Sequence, residues 1–175
     1  MFGKKIFSAM IVSLLVVSTG FAQAVVETES PGSLRLGAAG AGPATFNNVE
    51  SDRQAYNIYG GYVYELTPYA ALKGLIDATS DFDNAVLASA NLGGNLYLLN
   101  RDVSPYVGGE VGLSVLYENE QDNDEWGLGA GLSLGAQIFR FGTTQINLEL
   151  STKFNLNDFD ENDAFVYTSR VGVLF

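Results

Sequence analysis

Eight charged residues occupy alternate positions in segments of the chain that otherwise switch between polar and apolar residues. Four are basic and four are acidic: Arg35, Lys73, Lys153 and Arg170, with Glu65, Asp77, Glu110 and Glu149. Charges placed inside a protein survive when they are paired, and two neighbouring carboxylates can also act as acid and base. These residues therefore predict an ion-pair network, with carboxylate-based catalysis as the alternative to be weighed.

The chain of 175 residues contains no histidine and no cysteine. This excludes Ser-His-Asp and Cys-His catalytic groups, imidazole ligands for zinc or haem, and disulfides. The four cations are more natural partners for the carboxylates than a substrate would be, so we predict a protein that is not an enzyme and has no cofactor. The formal net charge of −11 also argues against a nucleic-acid partner, because phosphates require a basic face.

Acidic residues are concentrated between the alternating segments. Thirteen of the twenty acids lie at residues 50–52, 81–83, 118–125 and 158–163, where Arg53 is the nearest base. Oxygen-rich clusters suit calcium or magnesium, and the weak metal candidates are Asp122, Asp124, Asp158, Asp160 and Asp163. Their spacing lacks the glycine and the bidentate glutamate of a calcium loop. We therefore predict solvated, mutually repelling loops and no metal site.

The first 24 residues have the pattern of a secretory signal peptide. Lys4 and Lys5 precede an apolar run at residues 9–17, and small residues follow at Ala22 and Ala24, the −3 and −1 positions of a cleavage site. The alternative is a membrane anchor, but the run is shorter than the roughly 20 residues that a spanning helix needs. We predict cleavage after Ala24.

Polar and apolar residues alternate with a period of two along the rest of the chain, which indicates β-strands. The pattern is clearest at residues 126–139, where Leu128, Leu132 and Leu134 alternate with glycine and serine. It divides the chain into eight segments, at about 33–42, 55–66, 69–79, 85–98, 105–117, 126–139, 144–156 and 164–175. Each has about the 9–11 residues of a strand that crosses a bilayer, or slightly more. The four prolines are expected at segment edges or in connections, because proline lacks an amide donor.

An eight-stranded barrel could carry its apolar face inside, as a soluble lipocalin-like carrier does, or outside, as a membrane barrel does. The predicted apolar faces carry no charge, whereas the polar faces are mostly Gly, Ser, Asn and Gln and hold the eight balanced charges. A solvated surface would normally contain about 25–35% charged residues. We therefore predict an all-β, antiparallel transmembrane barrel with a polar, salt-bridged lumen that side chains fill.

The last segment presents the outward series Tyr167, Val171, Val173 and Phe175, with Ser169 departing from the apolar pattern. In this respect the chain resembles bacterial outer-membrane β-barrel proteins, and in overall pattern it resembles the eight-stranded membrane domain of the OmpA-like superfamily. The resemblance implies that these four residues form the signal read by the barrel-assembly machinery. It also implies an outer-membrane location, contact with lipid and lipopolysaccharide, a short periplasmic segment at residues 25–32 and a barrel at residues 33–175.

We expect a structural or envelope-integrity role, with the lumen plugged by ion pairs. A minor, salt-bridge-gated ion pathway is the porin-like interpretation of the same residues. The alternative of another class is a surface binding module, an adhesin or receptor acting through the acidic loops. Predicted connections of about five to twelve residues disfavour that alternative, because protruding binding barrels carry long loops or extended strands. We expect a monomer, since a closed sheet has no free edge.

Overall fold

The computed structural model describes residues 34–48, 51–82, 85–118, 125–157 and 162–175. Eight strands form a closed barrel in which each strand pairs antiparallel with the next and β8 pairs with β1. The strands are β1 (Leu34–Asn48), β2 (Ser51–Thr67), β3 (Ala70–Ser80), β4 (Ala85–Tyr97), β5 (Val103–Glu118), β6 (Glu125–Ile138), β7 (Gln145–Asn157) and β8 (Asn162–Leu174). The predicted fold class is confirmed. No helix in the described ranges is long and apolar enough to cross a membrane.

The first hairpin is longer than the sequence pattern indicates. Most of the expected connection at about 43–54 is strand, because β1 continues to Asn48 and β2 begins at Ser51. Pro43 therefore lies inside β1, so the expectation that every proline falls at an edge or in a connection is wrong at this position. The ladder between β1 and β8 has pairs at Ala41 and Ala44 but none between them. The missing proline amide coincides with this interruption.

The seven connections are divided between the two ends of the barrel and are similar in length: the strand bounds leave two, four, six and four residues at one end, and two, five and six at the other. The loop end carries the β1–β2, β3–β4, β5–β6 and β7–β8 connections, and the turn end carries the other three together with Leu34 and Phe175. The outer wall between the ends is apolar: Leu92 is 73% exposed and Leu132 is 69% exposed. Aromatic side chains lie near the strand ends on this surface, including Tyr56, Tyr64, Trp126, Phe165 and Tyr167.

The interior is layered. Its middle is polar and charged, as the alternation predicts, but the loop end is filled by an apolar layer consisting of Ala44, Ala55, Ala85, Leu87, Leu116 and Val166. A second apolar cluster packs in the turn half of the barrel and includes Tyr59, Val63, Leu75, Tyr97 and Tyr106. The lumen is therefore a short packed core with charges at its centre.

Close contact between β1 and β8 explains the need for glycine at position 42. A Cβ built on Gly42 would lie 1.8 Å from the carbonyl oxygen of Ser169, and a backbone atom cannot move aside as a flexible side chain could. We expect Gly42→Ala to lower the free energy of unfolding by about 1–3 kcal/mol. Urea titration followed by the fluorescence of the single tryptophan, Trp126, would measure this loss.

Gly74→Ala is the matched control, since the nearest atom to its added Cβ is Leu92 Cδ2 at 3.5 Å, an ordinary contact. Equal effects of the two alanines would show that the close β1–β8 approach is not what requires glycine.

Candidate functional site

Seven of the eight predicted interior charges have described side chains, and all seven are buried, with at most 7% of each residue exposed. They come from five strands, which β-strand alternation brings to one face of the sheet. The seven are Glu65 on β2, Lys73 and Asp77 on β3, Glu110 on β5, Glu149 and Lys153 on β7, and Arg170 on β8. Arg35 lies in β1, and its side chain is outside the described part of the structure.

Six of these side chains form a single charge chain, in the order Asp77, Lys153, Glu110, Lys73, Glu149 and Arg170. Lys153 Nζ contacts Asp77 and lies 3.2 Å from Glu110 Oε1. Lys73 Nζ lies 3.1 Å from Glu110 Oε2 and 3.7 Å from Glu149 Oε2. Arg170 Nη2 donates to Glu149 Oε1. Acid and base alternate along the charge chain, so its net charge is zero.

Neutral polar groups complete the ends of the charge chain. Asp77 accepts hydrogen bonds from Ser89 Oγ at 3.0 Å and Asn91 Nδ2 at 2.8 Å. Glu149 accepts one from the hydroxyl of Tyr106 at 2.8 Å. Glu149 is paired with Arg170, and the guanidinium carbon of Arg170 lies 4.8 Å from the centre of the Tyr59 ring. These contacts offset part of the desolvation cost of burying the ions.

Glu65 does not join the charge chain. Its partner is Arg140, whose Nε lies 3.3 Å from Glu65 Oε1. Arg140 falls in the connection between the predicted segments 126–139 and 144–156, where the alternation predicts no role for it, yet its side chain is completely buried. It stacks on Tyr97, with its guanidinium carbon 3.7 Å from the ring centre. The residue before it, Phe139, has a φ of 59°, a left-handed conformation that alternation cannot reveal.

The interior geometry favours structure over catalysis. Each of the described interior carboxylates, Glu65, Asp77, Glu110 and Glu149, faces at least one cation within 3.7 Å. A general base needs an open approach to its substrate, and these groups are buried in a packed core. A cavity of about 20 Å³, lined in part by Lys73, Tyr97 and Glu149, lies in the turn half. It has room for about one water molecule.

The acidic loops are only partly described. Asp122, Asp124, Asp158 and Asp160 lie outside the described residues, and Asp163 is placed in β8 without a described side chain. Within the described ranges, no group of three histidine, cysteine or acidic residues is arranged to hold a metal ion.

The predicted assembly-signal residues end the last strand. Tyr167, Val171 and Val173 face outward, and the Phe175 amide donates to the carbonyl of Gly37 at 3.1 Å. Gly37 has a φ of 89°, and a Cβ there would lie 2.7 Å from the Phe175 ring. The chain terminus is thus held against β1. The predicted cleavage residues Ala22 and Ala24, and the segment at residues 25–32, lie outside the described residues.

No protein-family model and no curated protein sequence matches the chain. Solved structures do match its fold. Neisserial surface protein A is similar with 12% identity, 79% of this chain and 96% of that chain covered, and a TM-score of 0.65. The N-terminal β-barrel domain of Pseudomonas aeruginosa OprF is similar with 15% identity, 82% and 100% covered, and a TM-score of 0.52. Both are eight-stranded outer-membrane barrels, so the resemblance to this class is confirmed for the fold.

Proposed function

We propose that the protein is a structural component of a bacterial outer membrane, with a lumen closed to ions. The observation that carries the proposal is the inverted polarity of the sheet. Large apolar side chains such as Leu92 and Leu132 are exposed, whereas Lys73, Glu110 and Glu149 are buried. A continuous apolar surface of this kind would promote aggregation in water. In a bilayer it is the stable arrangement for a closed barrel.

The proposed location also gives the barrel an orientation in the membrane and defines what surrounds its outer wall. Connection length does not set the orientation, because it is similar at the two ends. The acidic connections are placed outside, and the turn end, which carries Leu34 and Phe175, then faces the periplasm. Lipid and lipopolysaccharide then surround the apolar wall. Divalent ions can bridge the loop carboxylates to lipopolysaccharide phosphates. The barrel-assembly machinery is the partner during insertion, through Tyr167, Val171, Val173 and Phe175.

The layered interior supports a plug over a pore. An ion pathway gated by the charge chain would require Lys73 or Glu110 to exchange partners. It would also require water to pass the apolar layer at Leu87, Leu116 and Val166, which exchange of ion pairs does not open. Eight-stranded barrels have interiors that side chains just fill, and the packed layers here agree with that rule.

Single-channel recording tests the closed lumen. Cell envelopes are fractionated first to show where the protein is located, and the protein is purified from them. Its folding is checked by heat-sensitive gel mobility, and it is then inserted into planar bilayers. We expect a folded and silent barrel. Discrete openings that change with Arg170→Gln, and not with Arg101→Gln in an exposed turn, would make the protein a gated pore and overturn the proposal.

The strand bounds leave two, four, six and four residues for the connections at the loop end. Loops this short favour the structural role over a binding module that acts through its loops. The strands, however, exceed the 9–11 residues that cross a bilayer: β1, β2 and β5 have 15, 17 and 16 residues. A surface binding module therefore stays the alternative, with extended hairpins as its contact surface.

A further inference from the structure

We propose that Arg140 is a latch: its side chain, carried by a turn, closes the turn end of the lumen and can swing out while every strand stays paired. The interior would then be a chamber that opens from the turn end only. This inference goes beyond the proposed function and does not depend on it, because it concerns the interior of the barrel in any membrane or detergent.

Arg140 lies across the mouth of the barrel. Its side chain contacts Glu65 near the end of β2 and Tyr97 at the end of β4. It also donates to the carbonyl of Leu99, in the connection between β4 and β5, and to Ser104 Oγ, at the start of β5. One guanidinium therefore joins the ends of three strands to a neighbouring turn, and its removal would expose the space beneath it.

The attachment of the latch differs from that of the other buried cations. Lys73, Lys153 and Arg170 are carried by paired strands, whereas Arg140 belongs to the connection between β6 and β7. Its side-chain hydrogen bonds measure 3.3, 3.5 and 3.5 Å, beyond the usual 2.7–3.2 Å range. Its Nη2 has no hydrogen-bond partner among the described residues. Water would solvate the freed guanidinium fully, which offsets the loss of these weak bonds.

The backbone of the turn has its own support. The amide of Arg140 donates to the carbonyl of Asp102 at 3.0 Å, and the amide of Gly142 donates to the carbonyl of Phe139 at 2.8 Å. Rotation of the Arg140 side chain breaks neither bond. Because the Arg140 side chain is completely buried, the side chains that cover it must move aside as it leaves, but neither the turn nor a strand has to unfold.

At the opposite end, the described part of the interior is closed by residues of the strands themselves. The apolar layer is built from strand residues, among them Ala55, Leu87 and Leu116, and a change at Arg140 leaves them in place. Water that enters past Arg140 would reach the cavity beside Lys73 and Glu149 and then stop below the apolar layer. The chamber is accessible from one side.

Cysteine accessibility tests the latch directly, because the natural chain has no cysteine. Ala71→Cys places one thiol inside the turn end, at the position paired with Glu65, and Ala55→Cys places one in the apolar layer. The readout is the rate of modification by a small, membrane-impermeant methanethiosulfonate reagent in detergent micelles. We expect Arg140→Gln to raise the rate at Ala71→Cys at least tenfold and to leave the rate at Ala55→Cys low.

Two further variants complete the test. Arg101→Gln removes an exposed arginine from the adjoining turn and should change neither rate. Glu65→Gln keeps the shape of the partner while removing its charge, and should raise the rate at Ala71→Cys by less than Arg140→Gln does. If Arg140→Gln does not fold, as judged by gel mobility, Glu65→Gln carries the test. An unchanged rate at Ala71→Cys, or equal acceleration at Ala55→Cys, would overturn the latch.

Discussion

Replacing Glu149 by glutamine should lower the free energy of unfolding by about 3–5 kcal/mol, the cost typical of removing one partner from a buried ion pair. Glutamine keeps the size of the side chain, so the loss measures charge and not packing. The substitution leaves Arg170 without the carboxylate that it contacts, and leaves Lys73 with Glu110 as its carboxylate partner and with its hydrogen bond to Ser133. Urea titration of the folded barrel, followed by Trp126 fluorescence, gives the difference.

The control for this prediction is a loop carboxylate. Asp122→Asn removes the same charge from the connection between β5 and β6 and should change the free energy of unfolding by less than about 0.5 kcal/mol. Equal and small effects of the two substitutions would contradict the interior network.

A double variant separates charge balance from loss of a contact. Glu149→Gln with Arg170→Met removes the last acid and the last base of the charge chain together, and leaves two acids and two bases paired. Replacement of a whole buried pair is often nearly neutral. We therefore expect the double variant to be more stable than Glu149→Gln alone. A double variant that loses the sum of both single effects would mean that Arg170 stabilises the barrel independently of Glu149.

The alternation of polar and apolar residues predicts the barrel because successive side chains of a strand point to opposite faces of the sheet. A period of two therefore assigns each residue to the inside or the outside of the barrel. It also identified the members of the charge chain as inward residues, since they share the polar face. It could not predict their partners. Partner choice depends on strand register and on which side chains reach across the lumen, as Lys153 of β7 reaches Asp77 of β3.

The alternation does not predict two features of the interior. One lies in a turn, where the alternation ends, and the other is a set of apolar residues on the inward face. Arg140 follows a residue with positive φ in a turn, so its direction is set by local backbone geometry and not by strand period. Leu87 and Leu116 are apolar residues on the inward face, where the binary pattern predicts polar ones. Their burial reflects the need to fill a narrow lumen, which constrains volume as much as polarity.

A charge added to the outer wall should also lower the free energy of unfolding by several kcal/mol. The reason is that the added charge would lie in hydrocarbon, whereas loss of an interior charge leaves a buried partner unpaired. Leu132 lies midway along β6 and is 69% exposed, so in the proposed membrane it faces the centre of the hydrocarbon layer. We expect Leu132→Arg to lower the free energy of unfolding in lipid vesicles by about 2–4 kcal/mol, as charged residues do at the midplane of such barrels. Reversible urea unfolding in vesicles would measure it.

Leu98→Arg is the matched control for depth. Leu98 is 62% exposed and directly follows β4 at the turn end, where the side chain can reach water. The cost of arginine near the interface falls to about 0–1 kcal/mol, so the two variants should differ although both replace an exposed leucine. Equal, small losses at Leu132 and Leu98 would mean that the apolar wall does not contact lipid, and the membrane role would have to be abandoned.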